Sequence, residues 1–286
     1  MRFELCQGDC LQWLPQFSDE HISCIFADPP DNIGLGYSEY KDKLPDEEYI
    51  VLMDNWLRLF CDKADTVWFS FNSRWLLDLA PTAKALRDAG LEFKPCVQTF
   101  SFYQHNKNDL GNAHRPLWRF RKAGTGLYPE QAKIQSWRQK HGDSRAAKGG
   151  KVPGDALDFT QYQGKERRDW HERAIEVGGF VVDPLIPDDH FDFTRVVGNS
   201  KQRRPYIPTQ LNEGLIKRCV QLSTKSNDWV IDPFGGSGTT LRVCRELGDR
   251  NCTLIEIDED YCNYIADEHK LPVREKGQWS RWESNT

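Results

Sequence analysis

Asp28 and Asp232 each stand where a short apolar run breaks into a turn, and carboxylates so placed suit a cationic or amine-bearing ligand better than a phosphate. Trp229, Val230 and Ile231 read as a short strand running into Asp232. Gly235, Gly236 and Gly238 let the backbone take φ > 0 and approach a ligand closely. Thr239, Thr240 and Leu241 open an apolar helical pattern that continues through Val243, Cys244 and Leu247 and stops at Gly248. A second strand, Cys252 to Asp258, carries Glu256 and Asp258 at its end, with Glu256 20 positions after Gly236. That layout sets a carboxylate on a ribose hydroxyl.

Two commoner readings of the glycine turn fail. A phosphate-cradling loop needs a Lys before its Ser/Thr, and Ser237 has none. A dinucleotide fingerprint needs a glycine where Leu241 stands, and Asp232 is a poor neighbour for a pyrophosphate. A nucleoside that carries an amino acid and a sulfonium, S-adenosyl-L-methionine, meets these constraints together. The plain alternative is an ordinary strand–turn–helix with packing glycines; the nine residues Asp232 to Thr240 plus the spaced acid argue against it.

Near the other end, Ile22 to Asp28 is a β-rich run that leads into Pro29, Pro30, Asp31, Asn32, Ile33 and Gly34. Two prolines forbid further ladder pairing and stiffen the turn. Asp28 is thereby held at a strand's carboxyl end, where open α/β sheets bind ligands. An acid beside a fixed backbone carbonyl can hold both hydrogens of an –NH2 group, so that the nitrogen lone pair faces an electrophilic methyl. Orientation and electrostatics then do the chemistry, with no metal and no nucleophilic side chain.

With both motifs in hand, the chain resembles the amino-group DNA methyltransferases, which methylate N6 of adenine or N4 of cytosine. Their catalytic tetrapeptide is (Asp/Asn/Ser)-Pro-Pro-aromatic, and their cofactor motif is similar to Asp232 through Thr240. The order here, catalytic motif first and cofactor motif last, is similar to the family's β group, and the likeness runs from Gly8-Asp9 to about Ala266. The resemblance implies a Rossmann-like, doubly wound α/β fold. It would have a mostly parallel seven-stranded sheet, helices on both faces, one antiparallel edge strand and an inserted target-recognition region. It implies catalytic roles for Asp28, Pro29, Pro30 and Asp31. It places the cofactor against Asp9, Asp28, Thr209, Gln210, Asp232, Phe234, Gly235, Gly236, Ser237, Gly238, Thr239 and Glu256, with Asp258 as the neighbouring substitute acid. Pro208-Thr209-Gln210 resembles the family's His-Pro-Thr-Gln-Lys-Pro element.

The departures are specific. The aromatic expected after the two prolines is Asp31, the expected His is Ile207, and the expected Lys-Pro is Leu211-Asn212. In the family that ring stacks on the flipped-out base, a contact that contributes about 1–3 kcal/mol. Three readings are open: another ring, Tyr37, Phe26 or Trp68, supplies the stack; Asp31 recognises the base or accepts from its amine; or the chain is a catalytically degenerate DNA-binding homologue or partner subunit that binds cofactor without turnover. Methyl transfer to an exocyclic amine, adenine N6 favoured over cytosine N4, is the main expectation. An RNA or small-molecule methyltransferase and a donor other than S-adenosylmethionine are further alternatives.

The 286 residues, 38% hydrophobic, accommodate one large α/β domain with an insert. No 18-residue apolar run predicts a membrane span. The start lacks a secretory apolar segment, and nine cysteines occur without Cys-x-x-Cys, so reduced thiols, a cytoplasmic location and no metal are expected. The net charge of −5 argues against nucleic acid until it is divided: Ser101 to Arg204 holds 19 Lys/Arg against 13 Asp/Glu, and the remainder 19 against 30. A locally basic middle can steer a phosphate backbone. Arg115, Arg119, Arg121, Lys122, Arg195, Lys201, Arg203 and Arg204 are the leading candidates for contacts to double-stranded DNA. Arg138, Lys148, Lys151, Arg167 and Arg168 stand behind them, and Tyr128, Trp137, Tyr162 and Trp170 are stacking or packing rings. A homodimer is compatible with the sequence.

The elements that must position these residues follow from periodicity. Residues 2–9, 22–28 and 65–71 read as strands, and 46–62 as an amphipathic helix. Residues 73–89 read as one or two helices around Pro81, and 97–103 and 117–121 as a possible hairpin. Helices are expected at 209–223, 238–248 and 259–269, and a weak one at 167–177. Residues 1–103 form the catalytic half, 104–200 the target-recognition region, 201–272 the cofactor-binding half and 273–286 a polar tail.

Overall fold

The apolar runs at 22–27 and 229–232 lie side by side in one sheet, although 206 positions separate Ser23 from Trp229, whose N–H donates to the Ser23 hydroxyl. The computed structural model describes residues 1–17, 21–37, 40–99, 114–133, 142, 144–145, 148–150, 156–157, 196, 201–204, 207 and 209–275. Its strands are β1 (Phe3–Gln7), β2 (Ile22–Ala27), β3 (Ala64–Ser70), β4 (Glu92–Thr99), β5 (His114–Arg121), β6 (Ala156–Leu157), β7 (Trp229–Asp232), β8 (Asn251–Glu256) and β9 (Val273–Arg274). Its α-helices are α1 (Cys10–Trp13), α2 (Asp46–Lys63), α3 (Leu76–Asp88), α4 (Glu213–Ser223), α5 (Thr239–Leu247) and α6 (Glu259–His269).

The strands form one sheet in the order β6-β4-β5-β3-β2-β7-β8-β1-β9. Seven strands make its body, and the two-residue strands β6 and β9 extend its edges. The expected antiparallel edge strand is instead β5, one place further in, antiparallel to both β3 and β4. The β3–α3–β4 crossover leaves a strand's width open, and the return leg of the β4–β5 pair fills it. The order reverses between β2 and β7, where β3 lies outward on one side and β8 on the other, giving the crevice in which such sheets hold ligands.

Side-chain alternation divides the sheet's two faces. Ile25 and Ala27 of β2 join Tyr49, Met53, Trp56 and Phe60 of α2 and Leu79 and Leu86 of α3 in one apolar cluster. Cys24 and Phe26 join Leu215, Cys219 and Val220 of α4 with Leu241, Cys244 and Ile265 on the other face. Helix α2 carries Asp46, Glu47 and Glu48 in its first turn and Lys63 in its last, charges that complement the helix dipole. Pro81 does not split α3: the carbonyl it leaves without an intrahelical donor is that of Leu77, a residue 80% exposed, where water can serve. The helix expected at 209–223 starts at Glu213, because the Asn212 side chain caps it by accepting from Gly214 N–H. The helix expected at 167–177 and the tail beyond 275 lie outside the described residues.

Candidate active site

The carboxyl ends of β1, β2, β7 and β8 surround one cavity of about 530 Å³, within the range of small-ligand sites. Among the described residues, Asp9, Asp28, Asp31, Asp232, Glu256 and Asp258 line it, against the guanidinium of Arg115. The catalytic and glycine motifs thus share the walls of one pocket. Pro29, Pro30, Thr209, Gln210, Phe234, Gly235, Gly236, Ser237 and Thr239 line it too. Gly238 is set back from the wall at the start of α5, with φ +73°.

The glycine turn is held by the acids flanking it. Asp232 accepts from the Phe234 N–H (3.0 Å) and the Thr240 hydroxyl (2.5 Å). Glu256 accepts from the N–H groups of Gly236 (2.6 Å) and Asp258 (2.9 Å). Gly236 has φ +50°, and a Cβ there would lie 3.1 Å from Ile207 Cδ1, so neither its conformation nor its surroundings admit a side chain easily. Burial pushes the Asp232 carboxyl up to about 7, aided by the Asp28 and Glu256 charges and opposed by its two hydrogen bonds. Burial likewise raises Glu256, against the pull of the N–H groups it accepts from. Asp9 caps α1 through the Leu11 N–H (2.9 Å), and Asp258 caps α6 through the Tyr261 N–H (3.1 Å). Phe234 packs edge-on against Trp56 and Phe60, and Ser237 and Thr239 bond each other.

The Asp-Pro-Pro turn is fixed from three sides. The Tyr49 hydroxyl donates to the Pro30 carbonyl, and Trp75 Nε1 donates to the Asp31 carbonyl at 3.1 Å. Beyond the turn, the Asp42 carboxylate accepts from the N–H groups of Asn32 (2.7 Å), Ile33 (3.2 Å) and Leu35 (2.9 Å), while the Asn32 amide clasps the backbone of Leu44. Asn32 is left-handed at φ +58°, a conformation Asn tolerates better than most residues.

Arg115, expected from sequence to contact DNA, lies inside the cavity. Its Nη2 meets Asp28 Oδ1 and its Nη1 meets Asp31 Oδ2, both at 2.7 Å, and its Nε donates to Ser70 Oγ at 2.7 Å. Burial and the Asp31 charge raise the Asp28 pKa, while Arg115 and the Ser70 hydroxyl pull it down. Arg119, Arg121 and Lys122 diverge from this group because β5 carries them away from the cavity at about 3.3 Å per residue. Arg119 lies over the Trp68 ring, Arg121 pairs with Glu92, and Lys122 donates to the Asp62 carbonyl. Arg203 reaches the Val196 carbonyl, Arg204 pairs with Glu268, and Lys201 is exposed. Lys148 is exposed as well. Arg195, Arg138, Lys151, Arg167, Arg168, Trp137, Tyr162 and Trp170 lie outside the described residues.

Of the three rings named from sequence, Tyr37 and Phe26 line the cavity, and Tyr37 is hydrogen-bonded to Thr209. Trp68 does not: it is buried on the α4 face with its Nε1 on Ser223 Oγ. Tyr40, beside Tyr37, was not foreseen. Nor was the grip of Tyr49, Trp75 and Asp42 on the catalytic turn.

The comparisons agree with this geometry. The DNA methylase family model for N6 and N4 enzymes matches residues 22–267. The chain is 26% identical over 267 residues to the type II methyltransferase M.BamHI of Bacillus amyloliquefaciens, covering 88% of this chain and 56% of that protein. It is 24% identical over 269 residues to the type II methyltransferase M2.MboI of Moraxella bovis, covering 91% and 84%. It therefore spans little more than half the length of the first relative and most of the second. The crystal structure of an M1.HpyAVI–SAM complex shares the fold with a TM-score of 0.55 at 16% identity, over 94% of this chain and all of that one. A cavity built from both motifs at the sheet's switch point, and a family match over most of the chain, give one conclusion: the chain belongs to the DNA methylase family of N6-adenine and N4-cytosine methyltransferases, enzymes that use S-adenosyl-L-methionine.

Proposed function

We propose that the protein transfers a methyl group from S-adenosyl-L-methionine to an exocyclic amino group of a flipped base in double-stranded DNA, with adenine N6 favoured over cytosine N4. One observation carries this reading: Asp28 and the turn Gly235–Ser237 are walls of the same acidic cavity. Its residues fit the cofactor. Among the described residues, six carboxylates face one guanidinium, and Asp232 is buried with a carboxyl that a neighbouring cation would help to ionise. When bound, the cofactor supplies an electrophilic methyl on a positive sulfur.

The chain's own groups supply the rest. Asp232 and the glycine turn would hold the amino-acid end, with Thr209 and Gln210 beside it, while Glu256, backed by Asp258, would take the ribose and Asp9 the base of the cofactor. Phe234 is kept in place by Trp56 and Phe60. Asp28 accepts one N–H of the target amine and the Pro29 carbonyl accepts the other, turning the nitrogen lone pair toward the methyl. Asp28 or water takes the proton lost. Rotating the base out of the stack costs about a few kcal/mol, and Tyr37, which lines the cavity, would receive it. The preference for adenine rests on the Asp that begins the tetrapeptide, and access for duplex DNA on the surplus of basic residues between Ser101 and Arg204.

The test is incubation of the purified protein with isotopically labelled S-adenosylmethionine and mixed DNA and RNA substrates, followed by nucleoside mass spectrometry. Label in N6-methyladenine from duplex DNA is the expected result. Label in N4-methylcytosine would move the target, label in RNA alone would move the substrate, and cofactor binding without transfer would reverse the assignment.

A further inference from the structure

We propose that Arg115 is a positioning residue for methyl transfer, and that Asp31, standing where the family has its ring, is the second anchor that holds Arg115 in place. The inference rests on the reading of Asp28 as acceptor of the target amine.

The geometry is that of a closed lock. Arg115 uses three of its five N–H groups, at 2.7 Å each, on Asp28, Asp31 and Ser70. The Ser70 hydroxyl in turn bonds Asp28, so Arg115, Ser70 and Asp28 form a ring of contacts. Arg115 and two of its partners sit on rigid supports. Ser70 ends β3, Arg115 belongs to β5, where it pairs with Gln98 of β4, and Asp31 has its carbonyl held by Trp75. The Arg115 side chain is only 17% exposed, and Asp31 18%. A lone guanidinium buried to that degree beside one carboxylate would be free to swing; two carboxylates and a hydroxyl fix its plane.

The chemistry explains why an acid replaces the ring. Two neighbouring carboxylates repel, and one of them takes up a proton unless a cation lies between them. Arg115 lies between them, so it opposes the rise that burial and the Asp31 charge impose on Asp28 and fixes the carboxylate's orientation. Its two oxygens offer about four acceptor sites, which leaves capacity for an amine N–H beyond the contacts to Arg115 and Ser70. An aromatic residue at position 31 would remove the second anchor and leave Arg115 held from Asp28 and Ser70 alone. Asp31 is thus matched to Arg115, as expected of a working site rather than a decayed one.

Among the described residues, the charged and titratable groups facing Asp28 are Arg115 of β5, Asp31 of the turn, Asp232 of β7 and Tyr37 of the following loop, with His114 and Glu256 further along the cavity wall. Arg115 is the cation among them. Transfer needs Asp28 ionised, so the rate climbs with pH through its pKa, and loss of the cation moves that climb to higher pH.

The experiment measures kcat, KM for DNA and the Kd for S-adenosylmethionine across pH 5–9 in wild type, Arg115→Gln, Arg115→Lys, Asp31→Asn, Asp31→Tyr and the double variant R115Q/D31N. For R115Q we expect kcat to fall about 30-fold or more and the acid limb to rise by about one unit, as an opposite charge at this distance dictates, with cofactor Kd within about twofold. R115K keeps the acid limb and recovers part of kcat. Asp31→Tyr lowers kcat although it restores the family's ring. The double variant is no slower than R115Q, because Asp31 acts through Arg115. Should R115Q fail to bind cofactor, R115K and the Asp31 variants decide the matter. R115Q retaining a third of wild-type kcat with its acid limb unmoved, a gain of activity in Asp31→Tyr, or additive losses in the double variant would each overturn the proposal. Wild type that binds cofactor yet transfers nothing would instead fail the functional reading. The lock is then read without turnover, by titrating the ¹³C-labelled Asp28 carboxyl: an upward shift in R115Q supports it, and no shift refutes it.

Discussion

Asp232 is buried among the cavity's carboxylates, and its pKa near 7, set first by that burial, turns its position into measurable behaviour. The fold holds a proton on this group that the unfolded chain, with an ordinary value of 3.8, has already released. Stability of the ligand-free protein attributable to Asp232 is therefore fully present below about pH 4 and is lost as pH rises through about 7. The melting temperature of wild type relative to Asp232→Asn should fall from pH 5 to pH 8. A cation alongside favours the ionised form, so cofactor affinity should run the other way. Calorimetric titration should show binding tightening by up to about tenfold between pH 6 and 8, a slope that Asp232→Asn flattens. Asp28 is expected to matter for transfer and not for cofactor affinity. Asp28→Ala should cut turnover by about 100-fold or more while the cofactor Kd stays within roughly threefold. Near-native turnover in that variant would remove Asp28 from the chemistry.

Among the elements, the loop that follows the Asp-Pro-Pro turn makes the sharpest prediction. Asp42 satisfies three of its N–H groups, and Asp42→Ala leaves those of Asn32, Ile33 and Leu35 without that acceptor. An unmade buried donor costs about 1–3 kcal/mol, and for a chain of this size each kcal/mol lowers the melting temperature by roughly 2–4 °C. Turnover should fall further than cofactor affinity, since the clasp positions the catalytic turn and not the glycine turn; equal losses in both would assign the loop a purely structural role. This loop also marks where sequence reading stops. The two motifs were legible because each is contiguous: strand, turn and helix signals sit within a dozen residues, and the pairing of β2 with β7 follows from placing both acids at one site. Helix α2 was legible because Tyr49, Met53, Trp56 and Phe60 share one face. Strand β4 starts earlier than its expected 97, at Glu92, because Pro95 interrupts the strand pattern while the near-edge position tolerates it. The place of Arg115 inside the cavity was not legible, for a topological reason. It is 87 positions from Asp28, and only the antiparallel course of β5 returns its first residues to the cavity end of the sheet. One local signal did exist: an acid in place of a ring beside a catalytic acid needs a buried cation nearby.

The whole molecule is acidic, with its basic surplus confined to the stretch from Ser101 to Arg204. Binding of duplex DNA should therefore depend on salt while cofactor binding does not. For about four phosphate contacts, affinity for DNA should drop roughly 100-fold between 50 and 200 mM salt. A flat response in filter-binding or anisotropy measurements would place the nucleic acid away from that region. No helix among the described residues is long and apolar enough to cross a membrane.

The central place of β2 in the sheet has a consequence for biosynthesis. Every residue of β2 is buried, yet the neighbour on one side, β7, is translated 206 positions later when counted from Ser23 to Trp229. At a ribosomal rate of about 5–20 residues per second, that flank stays unpaired for roughly 10–40 s. An apolar strand with an open edge is a template for wrong partners, so the emerging chain carries that hazard throughout this interval, and its active centre comes into being only when β7 docks.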